Sequence, residues 1–112
     1  MNITESKQGN VTILQMQGKL DAMSSPELDK RLASLVESGT RQIAVNLVGL
    51  DYVSSAGLRV FLSATKRLKQ AQGKLALCNP SVQVQQIFDI AGFASILPIF
   101  KTLKEAVDAC AL

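Results

Sequence analysis

Gln42-Ile43-Ala44-Val45-Asn46-Leu47-Val48, followed by Gly49-Leu50-Asp51-Tyr52-Val53 and then Ser54-Ser55-Ala56-Gly57-Leu58, is the passage that decides the fold. Its first seven residues are rich in β-branched and apolar side chains and have no polar face of their own, as in a strand covered on both sides. A short connection over 49–53 then leads into a helix expected from about Ser55 to Gln72. In that helix Leu58, Phe61, Leu62, Thr65 and Leu68 fall on one face, with Arg59, Ser63, Lys66 and Gln70 on the other. Gly73 ends it. A buried strand feeding an amphipathic helix is one half of a strand-helix-strand unit.

Upstream, strand-like runs over 3–7 and 11–17 flank Gln8-Gly9-Asn10, a turn signal, and so form a hairpin. Ser25-Pro26 opens a helix, with Ser25 as N-cap and proline at the first helical position, where its missing N–H costs nothing. Leu28, Leu32, Leu35 and Val36 share one face, and Gly39 stops the helix. Downstream, 74–78 reads as another buried strand, and Asn79-Pro80 caps a third helix striped by Val84, Ile87, Phe88 and Ala91 before Gly92. A short strand over 97–100 follows. Thr102-Leu103-Lys104-Glu105 is a capping box, opening a last helix with Leu103, Ala106, Val107 and Cys110 inward. The alternation implies right-handed crossovers and hence an α/β fold: a single domain over 1–112, with a mixed, mostly parallel sheet, an N-terminal β-hairpin and about four α-helices.

Composition narrows the function. The chain has 112 residues, 47% hydrophobic and 19% charged, which suits one globular unit with a real core. It has no histidine and two cysteines, which removes Ser-His-Asp and Cys-His triads and nearly every zinc site. Cys78 and Cys110 sit in apolar patterns and read as buried thiols rather than a bridge. The expectation is a protein that is not an enzyme, with no catalytic residues, no metal and no cofactor of its own. The net charge of +3 is mild and only 4% of residues are aromatic, so no direct nucleic-acid surface is expected. Lys66, Arg67 and Lys69 read as a solvated helix face. Neither a secretory leader nor an apolar run near the roughly 20 residues of a membrane span is visible, which points to a soluble, cytoplasmic protein.

Chemistry gathers at Ser54 and Ser55. The two hydroxyls follow a central strand and precede a helix, the edge where open α/β sheets place ligands and partners. The first N–H groups of a helix lack intrahelical acceptors and carry the positive end of the macrodipole, so the spot favours an anion, a serine-borne phosphate included. Gly57 is expected to let another backbone approach. Spacing alone leaves either serine as a plain N-cap, and neither a phosphate-loop nor a dinucleotide glycine motif is present.

The stretch Val48-Gly49-Leu50-Asp51-Tyr52-Val53-Ser54-Ser55-Ala56-Gly57-Leu58-Arg59-Val60 resembles the signature of bacterial anti-sigma-factor antagonists, the STAS domain family. Gly18-Lys19-Leu20-Asp21 is similar to the family's second motif, and Ile87-Phe88-Asp89-Ile90-Ala91-Gly92-Phe93 to a third segment. The resemblance spans essentially the whole chain. It implies a partner-switching cycle: the antagonist binds an anti-sigma factor that is also a serine-protein kinase, is released by phosphorylation, and is reset by a serine phosphatase. ATP and magnesium belong to the kinase. Aligned on Gly57, the phospho-acceptor position falls on Ser55. Some members have aspartate where this chain has Ser54, and another hydroxyl where it has Ala56.

The implied partner-binding set is Asp21, Ser54, Ser55, Ala56, Gly57, Leu58 and Arg59. Asp21 is expected beside the serine loop, either as a partner contact or as a cap of its own turn. Arg59 and Lys66 share an exposed helix face that suits an acidic partner surface or simply water. The other functional reading is a STAS subunit docked on a larger complex, such as a lipid-transport ATPase, with no phosphorylation switch.

Overall fold

The computed structural model of the protein describes residues 1–111; Leu112, the last residue of the expected domain, lies outside the described residues. Strands β1 (Asn2–Gln8), β2 (Val11–Leu20), β3 (Gln42–Val53), β4 (Lys74–Cys78) and β5 (Ile99–Phe100) form one sheet in chain order. The β1–β2 pair is antiparallel and each later pair is parallel. Helices α1 (Ser25–Glu37), α2 (Ser55–Gln70), α3 (Val82–Ile90) and α4 (Leu103–Ala111) complete the expected mixed sheet, hairpin edge and four-helix set.

Alternating strand residues feed two cores. On one side Leu14, Met16, Ile43, Val45 and Leu77 meet Leu28 and Leu32 of α1, Phe61 and Leu68 of α2, and Val84 and Phe88 of α3. The Phe61 and Phe88 rings pack tilted, with centroids 6.0 Å apart. On the other side Val11, Ile13, Ala44, Ala76 and Cys78 meet Ala106 and Cys110 of α4. Residues 43–47 are buried because helices cover both sides of the sheet there, whereas Val48 at the end of the run is 57% exposed. Cys78 and Cys110 are free and buried. Burial, and next the neighbouring Cys110, pushes the Cys78 thiol up to about 11. Asn46 is a buried polar residue, and its Oδ1 accepts from the Val48 N–H at 3.1 Å and from Asn79 Nδ2 at 3.2 Å.

Several boundaries differ from the sequence expectation, each for a nameable reason. The connection expected over 49–53 continues β3, because β2 runs on to Leu20 and pairs with it: Gln17 with Gly49, Gly18 with Leu50, Lys19 with Tyr52, Leu20 with Val53. Two register shifts in that stretch absorb the extra residues of β3. Ser25 is the first residue of α1 rather than its N-cap, and its hydroxyl donates to the Asp21 carbonyl at 2.6 Å. The cap of α3 is Ser81, whose Oγ accepts from the Val84 N–H at 3.1 Å, in place of Asn79-Pro80. Helix α2 stops at Gln70, where Ala71 and the left-handed Gln72 carry the chain to Gly73. Strand β5 keeps only two of four expected residues. Thr102 caps α4 as expected, its Oγ1 accepting from the Glu105 N–H at 3.2 Å, while Glu105 Oε1 accepts from the Thr102 hydroxyl at 3.0 Å, where a full capping box engages the threonine N–H.

Candidate functional site

The end of β3 and the start of α2 divide the two serines between different tasks. Ser54 is extended (φ −85°, ψ 172°), half-buried, and its Oγ accepts from the Gly57 N–H at 3.3 Å. It is the N-cap. Ser55 is the first helical residue and is exposed. By position, the backbone N–H groups of Ser55 and Ala56 have no acceptor within the helix, at the same turn that carries the exposed serine.

The Ser54 N–H donates to the Leu20 carbonyl at 2.8 Å, which joins the loop after β2 to the start of α2. This is the expected juxtaposition of Asp21 with the serine loop. Asp21 also caps its own turn. Its Oδ1 accepts from the Met23 N–H at 3.0 Å, the Ser24 N–H at 3.1 Å and the Ser24 hydroxyl at 3.2 Å. The Ser24 N–H is the main reason its carboxyl titrates below the ordinary range. Ser24 Oγ in turn accepts from the Asp21 N–H at 2.9 Å and lies 2.8 Å from the Lys19 carbonyl.

Gly57 is needed for a different reason from the one expected. A Cβ there would lie 2.8 Å from both Cγ and Cδ2 of Leu20 and 3.1 Å from Cγ1 of Val53, so the space is taken by core side chains and not by an approaching backbone. Leu58 is 7% exposed and belongs to the core. Of the remaining expected contacts, Ala56 is half-buried, while Ser55 and Arg59 face solvent. The outward surface is therefore Ser55 and Arg59, with Ser54, Ala56 and Asp21 at its margin.

Two side chains at this end escaped the sequence reading. Met23, at the tip of the Asp21 turn, is 90% exposed, and Tyr52, opposite Lys19 in the β2–β3 register, is 45% exposed. Nothing in their local sequence distinguishes them from core residues. A cavity of about 390 Å³, lined by Leu75, Leu97, Phe100 and Cys110 among others, opens near the far end of α2, away from Ser55. Among the described residues, no group of three or more Asp, Glu, Cys or His side chains is placed to hold a metal ion. No described helix is long and apolar enough to cross a membrane.

The profile of the STAS domain matches residues 2–106. This chain belongs to the STAS domain family. A Bordetella bronchiseptica protein provisionally named anti-sigma factor antagonist BtrV is 38% identical over 109 residues, 97% of this STAS chain and 94% of the relative. The anti-sigma-B factor antagonist of Staphylococcus aureus is 30% identical over 99 residues, 88% of this chain and 92% of its own. Among solved structures, the anti-sigma factor antagonist SpoIIAA in its unphosphorylated form shares the fold with a TM-score of 0.83. Its sequence is 21% identical, covering 96% of this chain and 95% of that one. The phosphorylated form of Bacillus SpoIIAA gives a TM-score of 0.74 at 20% identity, over 96% and 98%. The STAS sheet, hairpin edge and helices are thus those of antagonist structures.

Proposed function

We propose that this STAS domain is an anti-sigma-factor antagonist that binds an anti-sigma factor of the serine-kinase type, is released when that kinase phosphorylates Ser55, and is reset by a serine phosphatase. The observation that carries this reading is the division of labour at the helix start: Ser54 is committed as the cap, and Ser55 stands exposed one residue later. Two relatives bear the antagonist name, and SpoIIAA exists in phosphorylated and unphosphorylated forms. The chain supplies the acceptor hydroxyl and no catalytic group. ATP and magnesium enter with the kinase, and the cycle operates in the cytoplasm.

Release needs no refolding. A phosphate on Ser55 adds about −1.5 to −2 charges and three acceptor oxygens in the middle of the contact surface. Loss of each 1.4 kcal/mol weakens binding about tenfold, so a few kcal/mol of steric and desolvation cost suffices. Within the free chain the same charge is stabilised by roughly 0.3–1 kcal/mol at the positive end of α2.

The purified chain is incubated with its organism's anti-sigma factor kinase and Mg-ATP, and the product is mapped by mass spectrometry. Phosphate is expected on Ser55, and Ser55→Ala should stay unmodified while still binding the kinase. If Ser55→Ala takes up as much phosphate as the parent, the acceptor assignment fails. If the parent binds but is never modified, the chain is a docking subunit without a switch.

A further inference from the structure

We propose that the cavity between the far end of α2, the start of β4 and the end of α4 is a binding site for a small carboxylate with an apolar tail, of the medium-chain fatty acid type. The site goes beyond the antagonist reading and does not depend on it. Its volume of about 390 Å³ lies in the range of small-molecule sites. Its floor is apolar and shielded, with Leu75, Ala76, Leu97 and Cys110 all buried. The gap exists because the sheet is cut short there. Strand β5 pairs with β4 only at Leu77 and Cys78. Just before β5, Pro98 has no N–H to give, and the Leu97 N–H is taken by the Phe93 carbonyl at 2.8 Å, so the chain turns away from the β4 edge instead of extending the strand.

The groups that the wall leaves unsatisfied select the head group. The Lys74 N–H donates to the Arg41 carbonyl at 2.7 Å, towards β3, and the Leu77 N–H donates to the Pro98 carbonyl at 2.9 Å, towards β5. Alternation therefore turns the N–H and C=O of Leu75 to the β5 side, where among the described residues no strand faces them. Leu75 is 5% exposed, and a buried N–H without an acceptor is rarer than an under-satisfied carbonyl. The other polar groups of the floor and wall already donate inward: the Thr65 hydroxyl to the Phe61 carbonyl at 2.8 Å, the Ser95 hydroxyl to the Gly92 carbonyl at 3.2 Å and the Cys110 thiol to the Ile43 carbonyl at 3.5 Å. At the rim Lys69 supplies an exposed ammonium. Lys74 lines the cavity as well, with an interaction of its own. The described lining holds no aspartate or glutamate. A free N–H and a cation above an apolar floor call for an anionic acceptor that carries a hydrocarbon chain.

Decanoate, decanol and decyltrimethylammonium are titrated separately, below their micelle-forming concentrations, into the isotopically labelled full chain, and backbone amide shifts are followed by NMR. Decanoate is expected to bind saturably with a Kd below about 1 mM and to move the Leu75 amide and its neighbours, while the Ser55 amide stays in place. Decanol and the cation should bind at least about tenfold more weakly. Lys69→Glu is expected to weaken decanoate about tenfold, whereas Lys66→Glu, the same charge reversal outside the lining, should change it less than about twofold. Ala109→Leu puts bulk into the cavity and should abolish saturable binding. If no shift saturates, if the shifts centre on Ser55, if decanol binds as tightly, or if Lys69→Glu binds like the parent, the site is overturned and the antagonist reading is untouched. The three titrations of the parent decide the matter even where Ala109→Leu does not fold.

Discussion

Replacing Gly57 by alanine places one methyl group 2.8 Å from Cγ and Cδ2 of Leu20 and 3.1 Å from Cγ1 of Val53. Leu20 is fully buried and Val53 is 2% exposed, so neither can retreat towards solvent. Two effects oppose each other. Alanine is favoured over glycine in a helix by about 0.5–1 kcal/mol. Overpacking a filled core costs about 1–3 kcal/mol. The clash wins, and Gly57→Ala should be destabilised by about 0.5–2 kcal/mol, or about 2–8 °C in thermal midpoint for a chain of this size. Leu20→Ala alone leaves a cavity and should cost about 2–5 kcal/mol. In that background the new methyl enters vacated space, so the clash disappears and the helix preference remains. The double variant should therefore be more stable than the sum of the two single losses by about 1–3 kcal/mol. Urea denaturation of the four proteins measures this directly. Additivity within about 0.5 kcal/mol would refute the view that glycine is required here by the Leu20 side chain.

Ser54→Ala removes the α2 cap and should cost about 0.5–2 kcal/mol in urea melts while leaving Ser55 available to the kinase. The Asp21 carboxyl titrates below its unfolded value because the Ser24 N–H holds the charged form. Its contribution is thus complete above the unfolded carboxylate pKa and lost as pH falls through the lower folded one; Asp21→Asn should flatten the acid limb of a stability-versus-pH series. Cys78 runs the other way. Its thiol is pushed up to about 11 in the folded chain, so its contribution is complete below the ordinary thiol pKa and lost as pH rises towards 11. At pH 8 iodoacetamide should modify Cys78 only on unfolding, and rapid labelling of the native chain would contradict its burial.

The buried strand and the amphipathic helix around Ser54 and Ser55 were legible because both sides of the argument are local: a run without a polar face, a hydroxyl pair, and apolar residues at helical spacing. The extension of β3 through Gly49-Leu50-Asp51-Tyr52-Val53 was not. By itself it reads as a short connection, and only the partner strand β2, supplying Gln17, Gly18, Lys19 and Leu20 as pairing residues, makes it a bulged strand. The shifts of cap from Ser25 and from Asn79-Pro80 have the same character, since serine and asparagine neighbours compete for similar turns and tertiary hydrogen bonds decide between them. At the site, spacing left the two serines equivalent, whereas the structure assigns one hydroxyl to Gly57 and leaves the other exposed. Met23 could not be read at all: a methionine between turn residues looks the same whether it fills a core or stands in water.

The order of the strands in the sheet is their order along the chain. Each strand that emerges during synthesis finds its neighbour already made, so the sheet can grow by accretion from the amino-terminal hairpin with only modest loops to close. The face covered by α4 is the exception to that progressive sheltering. Val11 and Ile13 belong to the second strand, yet they wait for a helix formed some ninety residues later, at Leu103–Ala111. A chain shortened before that helix would carry a formed sheet with one greasy side bare, and its failure would be precipitation rather than a missing fold.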